Sequence, residues 1–82
     1  MKEDLIKELG DSLNELNVNI YDVYEEREGK DTYLRVVLDS DDVIDLDRVV
    51  KATKIIDPIV DKMNLINGEY ILDVYAKSKG DD

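Results

Sequence analysis

NVNIYDVYEEREGKDTYLRVVLDSDDVIDLDRVVKATK, residues Asn17 to Lys54, decides the fold. Its first part is rich in Val, Ile and Tyr, which suit a pleated backbone, and predicts a strand from Val18 to Glu28. Val18, Ile20 and Tyr24 lie on one side of that strand while Tyr21 and Val23 lie on the other. The alternation therefore slips once, and a bulge near Asp22 would reconcile the two halves. Glu28-Gly29-Lys30-Asp31 is a turn, because Gly29 is free to take positive φ. The second strand, Thr32 to Asp39, alternates cleanly, with Leu34, Val36 and Leu38 inward and Tyr33, Arg35 and Val37 outward. Two such runs around a short glycine turn predict a hairpin. Beyond a Ser40–Val43 link, Asp45 suits the N-cap of a helix, with Ile44 and Val49 at the apolar positions that flank a cap.

Working outward, Leu5, Leu9, Leu13 and Leu16 fall at spacings of four, four and three. That stripe, with Ile6 beside it, predicts a helix from Lys2 to Leu16. Glu3 and Asp4 favour the positive end of its dipole, and Asn17 suits a left-handed cap after it. Gly10 inside this helix costs about 1 kcal/mol. In the second helix Leu46, Val49, Val50, Thr53, Ile56, Val60 and Met63 form the expected buried stripe, with Ala52, Ile55 and Ile59 alongside. Asp47 and Lys51 make an i, i+4 pair on the other face. Pro58 interrupts: either the helix kinks there, or Asp57 caps a short further helix. Asn67-Gly68 turns into a last strand, Glu69 to Ala76, with Tyr70, Leu72 and Val74 inward.

The order helix, strand, strand, helix, strand predicts an α+β two-layer sandwich, two helices on one face of a three-stranded sheet. A last strand beside the second would be parallel to it through a helical crossover. One beside the first would make the sheet antiparallel, and the sequence leaves both open. Residues 1–76 are expected to form a single domain, with 77–82 a polar, mobile tail.

Composition narrows the function. With 82 residues the chain supports one core, and 43% hydrophobic residues in clear periods are enough to form it. No cysteine is present, which removes disulfides and thiolate chemistry. The start, Met1-Lys2-Glu3-Asp4, has no secretion-signal character, and no apolar run approaches the ~20 residues of a membrane span. The cytoplasm is the expected location. Twenty-one acidic residues against eleven basic ones give a net charge of −10. Such a chain repels nucleic-acid phosphates on average and attracts basic partners, although the same charge also serves solubility.

Reactive groups are scarce. Without histidine there is no Ser-His or Cys-His nucleophile, and the commonest metal ligand is missing. Asp39, Asp41, Asp42, Asp45 and Asp47 are the densest carboxylates. An EF-hand loop begun at Asp39 fails at Val43, Ile44 and Val50, so turn formation and helix capping account for the cluster better than Ca²⁺ or Mg²⁺. No glycine-rich phosphate loop occurs. Arg48, Lys51 and Lys62 are a small basic spot on the second helix, which a solvated surface explains. Tyr33 and Tyr75 point outward and are candidate partner anchors, although strand propensity alone accounts for tyrosines there. No catalytic, cofactor or metal residue is assigned.

Several of these motifs occur together in one family. Asp22-Val23, Glu28-Gly29 and Leu34-Arg35-Val36 in the hairpin, Ile44-Asp45-Leu46-Asp47 at the helix cap and Tyr70-Ile71-Leu72-Asp73-Val74 in the last strand resemble the N-terminal domain of the ribosome maturation factor RimP family. The likeness runs from Val18 to Val74. Where that family often has Thr or Ser, this chain has Asp45, an equally good N-cap. Where it has Gly, this chain has Asn17. Where it has Ser-Ser-Pro-Gly leading to a second, barrel-like domain, this chain reads Tyr75-Ala76-Lys77-Ser78, as either a piece of a longer protein or a divergent member.

The resemblance implies a non-enzymatic assembly factor that binds the maturing small ribosomal subunit in association with a basic small-subunit ribosomal protein. Exposed acids near the hairpin and link, Glu25, Glu26, Asp39, Asp41 and Asp42, are the expected contact residues. The rival reading is a structural module that docks onto a second domain or self-associates through an open sheet edge.

Overall fold

The computed structural model describes residues 1–79. The hairpin forms as the alternation predicts. Strand β1 (Asn19–Glu28) pairs antiparallel with β2 (Asp31–Asp39), and the expected slip is present. Ile20 faces Leu38 and Asp22 faces Val37, so Tyr21 is the extra residue. The Asp22 carboxylate accepts the Val23 amide at 2.9 Å, which occupies a donor at the disturbed point of the ladder. This slip lets Ile20 and Val23 both enter the core and sends Tyr24 to the opposite face.

Asp45 caps helix α2 (Leu46–Met63) as expected, its side chain accepting from the Arg48 amide at 2.9 Å. The helix runs on through Pro58 and does not divide at Asp57. Pro58 and Lys54 are exposed, so the Lys54 carbonyl deprived of its helical donor faces water. Strand β3 (Ile71–Ala76) then lies beside β2, parallel to it, giving the order β1-β2-β3. The ladder extends one step further where the Lys77 amide donates to the Leu38 carbonyl at 2.7 Å. Both helices and the inward strand residues contribute to one apolar cluster, so the helices share one face of this mixed sheet and leave the other uncovered.

Two expectations about the helices are corrected. The first helix does not reach Leu16: α1 spans Lys2–Leu9 and stops at Gly10, whose φ of 55° and ψ of −123° are not helical. A turn and a 3-10 turn at Asn14–Leu16 follow, tightened by the Ser12 amide on the Leu9 carbonyl and the Asn14 amide on the Asp11 carbonyl. Leu5, Leu9 and Leu13 are nevertheless all buried, so the stripe survives the change of backbone. Asn17 does take the left-handed cap, at φ 55°, but of the 3-10 turn.

On α2 the buried line is Ala52, Ile56 and Val60, while Leu46 is 77% exposed and Val50 43% exposed. At about 100° per residue, Val50 falls roughly 130° from the centre of the stripe through Ala52, Ile56 and Met63, and Leu46 about 90° from it. Seven positions are too many for the width of sheet that α2 covers. Val37 is a third refinement. It points to the uncovered face, yet is only 6% exposed.

Gly10 provides a test. Alanine is the better helix former, so a helix running through residue 10 would gain from it. At the positive φ observed, a Cβ is instead strained, and Gly10→Ala is expected to lower stability by about 1–2 kcal/mol in urea unfolding.

Candidate functional site

Register determines what the uncovered face carries. Alternate residues of a strand point to opposite sides, so the neighbours of Tyr33, Arg35 and Val37 share their face. These are Asp22, Tyr24 and Glu26 on β1 and Ile71, Asp73 and Tyr75 on β3, with Glu28 and Asp31 at the hairpin end. The face is thus a central arginine among tyrosines and five carboxylates.

Arg35 is the hub. Its Nε donates to Glu26 at 2.8 Å, one terminal nitrogen donates to Glu28 at 2.7 Å, and the other donates to Asp73. The guanidinium also lies over the Tyr33 ring, 4.4 Å from its centroid. These acceptors, Glu26 foremost, hold its proton more tightly than water would. Beside it, Tyr24 and Tyr75 share a hydrogen bond of 2.8 Å between their hydroxyls, spanning the sheet above β2. That bridge accounts for the burial of Val37, which is in register with Tyr75. The Tyr24 contact, followed by partial burial, pushes the Tyr75 hydroxyl up to about 12. Lys77 lies 5.0 Å from the Tyr21 ring at the far end.

A second polar assembly holds the Asp-rich link. Arg48 turns back from α2 to donate to the carbonyls of Leu16 at 3.0 Å and Val43 at 2.8 Å, and to Asp42 at 2.9 Å. The Ser40 hydroxyl donates to the Asn17 carbonyl at 2.6 Å and also contacts Asp42 at 2.7 Å. Asp39 accepts from the Ser40 amide at 2.9 Å and pairs with Lys79 at 3.2 Å. Asp42, through Ser40 and then Arg48, and Asp39, through the Ser40 amide and then Lys79, both ionise below the usual carboxylate range. Their stabilising contribution is therefore present at neutral pH and is lost only as pH falls below about 3.9.

The five expected contact acids do not converge. Glu26 lies on the open face, bound to Arg35. Glu25 points to the opposite side, in register with Leu34, beyond the cover of the helices. Asp39, Asp41 and Asp42 sit at the other end of the sheet, about 20 Å away at ~3.3 Å per residue. Asp39 and Asp42 are engaged internally, while Asp41 is exposed. The basic spot expected on α2 is also dispersed: Arg48 serves the link, and Lys51 pairs with Asp47 at 3.0 Å.

For the Asp cluster as a whole, each of Asp39, Asp42, Asp45 and Asp47 holds a different partner. Among the described residues, no group of three acidic side chains is arranged to hold a metal ion, and no polar or charged side chain is buried. Within those residues no water-excluded carboxyl exists whose pKa could be raised for acid–base work. A groove of about 540 Å³ at the hairpin end, lined by Lys30, Asp31, Asp57, Asp61, Glu69 and Tyr70, is likewise acidic. Burial first, then Asp61 and Asp57, pushes the Tyr70 hydroxyl up.

Of the tail expected beyond residue 76, Lys77 and Lys79 make the contacts given above. The remainder of that expectation, residues 80–82, lies outside the described residues. Among the described residues no helix is long and apolar enough to cross a membrane.

The Arg35 hub and the Tyr24–Tyr75 bridge join all three strands, so neither was readable without the strand order. Outward alternation at Tyr33, Arg35 and Tyr75 was their sequence signal. One comparison bears on the whole arrangement. The family model of the RimP N-terminal domain matches residues 8–77, a stretch containing every residue of the open face.

The tyrosine bridge is testable. Because the folded chain favours neutral Tyr75, that preference is fully present below about pH 10 and fades as pH rises toward 12. Tyr24→Phe removes the first cause and is expected to bring the Tyr75 midpoint down, read from its ring carbon in an NMR pH titration.

Proposed function

The chain belongs to the RimP family of ribosome maturation factors through its N-terminal domain, and we propose that it acts as a non-enzymatic assembly factor in the cytoplasm. In this reading it binds the maturing small ribosomal subunit by way of a basic small-subunit ribosomal protein. The observation that carries the proposal is the family match across residues 8–77. Charge supports it: at −10 the domain attracts cationic surfaces from a distance and raises their encounter rate. The principal cations on the open face and link, Arg35 and Arg48, are spent on internal acids. Glu25 and Asp41 are exposed acids at opposite ends of the sheet, and Glu26, Asp39 and Asp42 add to the same field.

Titration of the protein against purified small-subunit ribosomal proteins tests this. Affinity for one of them is expected to fall as salt rises from about 50 to 500 mM, since screening shortens to a few ångströms. Glu25→Lys and Asp41→Lys are expected to slow association without altering the fold. Binding indifferent to salt overturns the steering argument, and binding to none of them overturns the proposal.

One observation favours a second reading, docking or self-association. Val43 at 74%, Leu46 at 77% and Val50 at 43% exposure leave apolar surface near the start of α2. Light scattering distinguishes it: a dimer that grows with concentration and disappears in Leu46→Arg supports this reading, whereas a monomer throughout removes self-association.

A further inference from the structure

We infer that the uncovered face of the sheet is the surface on which a partner lies, and that its occupant is an extended Lys- and Arg-rich protein segment. The inference rests on the proposed function and gives that function a place and a chemistry.

Three observations carry it. First, both helices pack on the opposite side, yet Tyr75 is 37% and Ile71 46% exposed here. Exposed aromatic and apolar surface on one face, rimmed by charged residues, is the kind of surface that marks an interaction site. Second, acids outnumber cations on this face, even with Lys77 at its far end against Tyr21. Five carboxylates share the face with Arg35, which already spends its donors on three of them. Each of those carboxylates pairs with Arg35 through one oxygen and keeps acceptor capacity on the other, and Asp22 and Asp31 have no cation as partner among the described ion pairs. A cationic segment is therefore the complementary partner. Third, Tyr24, Tyr33 and Tyr75 are held in place by the hydroxyl bridge and by Arg35, so they offer large contact area with little entropy left to lose. Arginine stacks on such rings, and Arg35 on Tyr33 already shows that the face supports the contact.

Size determines the form of the occupant. Six rungs and three strands make a footprint on the order of 300 Å², against about 800 Å² per partner in a standard interface. An extended segment fits such a footprint, whereas a globular partner would leave most of its own contact unmade. Single-stranded RNA also stacks on aromatic sheet faces, but its phosphates would meet these carboxylates without counter-charge.

The test uses a labelled nine-residue peptide of alternating arginine and alanine, with oligouridylate of similar length as comparison. At low salt the peptide is expected to bind and to shift the amide signals of Tyr24, Tyr33 and Tyr75 rather than those of α1 and α2. Asp31→Lys and Glu15→Lys change the net charge equally, but Asp31 borders the face and Glu15 lies in the 3-10 turn. Asp31→Lys is expected to weaken binding about tenfold more than Glu15→Lys. Tyr33→Leu, which keeps apolar volume in the strand, is expected to weaken it at least threefold with the melting temperature nearly unchanged.

Equal losses in the two lysine variants would overturn the inference, leaving only bulk charge. Tighter binding of oligouridylate would also overturn it. If an intact ribosomal protein binds while the peptide does not, the face is not the docking surface and the assembly-factor reading stands. If neither binds, both fall.

Discussion

Leu34, Val36 and Leu38 leave water together, and in a pleated strand this sends Tyr33, Arg35 and Val37 to the other side of the sheet. β2 has neighbours on both edges, so whatever lies outward on it is flanked twice. A lone arginine there would face the acids of an anionic chain from two directions. Glu26 and Glu28 reach it from β1, and Asp73 from β3. The same central strand thus orders the dry core on one side and the charged, aromatic surface on the other. Each fully buried Leu or Ile contributes about 1.5–3 kcal/mol, more than an exposed ion pair at about 0–1 kcal/mol. The core therefore sets the stability, and the outer face is free to be shaped by other demands.

The distribution of cations has a second effect. Arg35, Arg48, Lys51 and Lys79 all stand within hydrogen-bond reach of carboxylates, and Lys77 lies against an aromatic ring. They act as internal counter-ions, lowering the repulsion among 21 acids without giving the surface strong positive spots. Arg48 does more, because its forked guanidinium ties the end of the 3-10 turn to the Asp-rich link and to α2. A lysine at that position could not reach those acceptors in the same fork. The link is held by directed bonds.

Much of this architecture was legible because it depends on local rules. Alternation specified β2, Gly29 the turn, the broken alternation around Asp22 the bulge, and Asp45 the cap. The family resemblance rested on motifs around those residues and on Tyr70-Ile71-Leu72-Asp73-Val74 in the last strand. Gly10 was misread because spacing reports which side a leucine occupies, not the backbone between leucines: α-helix and 3-10 turn both brought Leu13 inward. Leu46 and Val50 were misread because amphipathic counting cannot tell how wide a strip of sheet a helix covers. The pairing of β3, the Arg35 hub and the Tyr24–Tyr75 bridge depend on non-local geometry, and no pattern within one segment contains that. The five acids expected at a partner contact were read from charge and nearness to the hairpin and link, neither of which gives direction. Only the register separates Glu26 from Glu25.

The parallel pairing of β2 with β3 has a kinetic consequence. β1 and β2 meet through a two-residue turn, but Arg35 and Asp73 are 38 positions apart. The hairpin can close within microseconds, whereas β3 must wait until α2 has folded back and the larger loop has been gathered. β3 closes the larger loop, and amides of Ile71 to Ala76 are expected to exchange ahead of those in the central β2. Any ligand spanning all three strands would act as a late clasp, slowing that exchange.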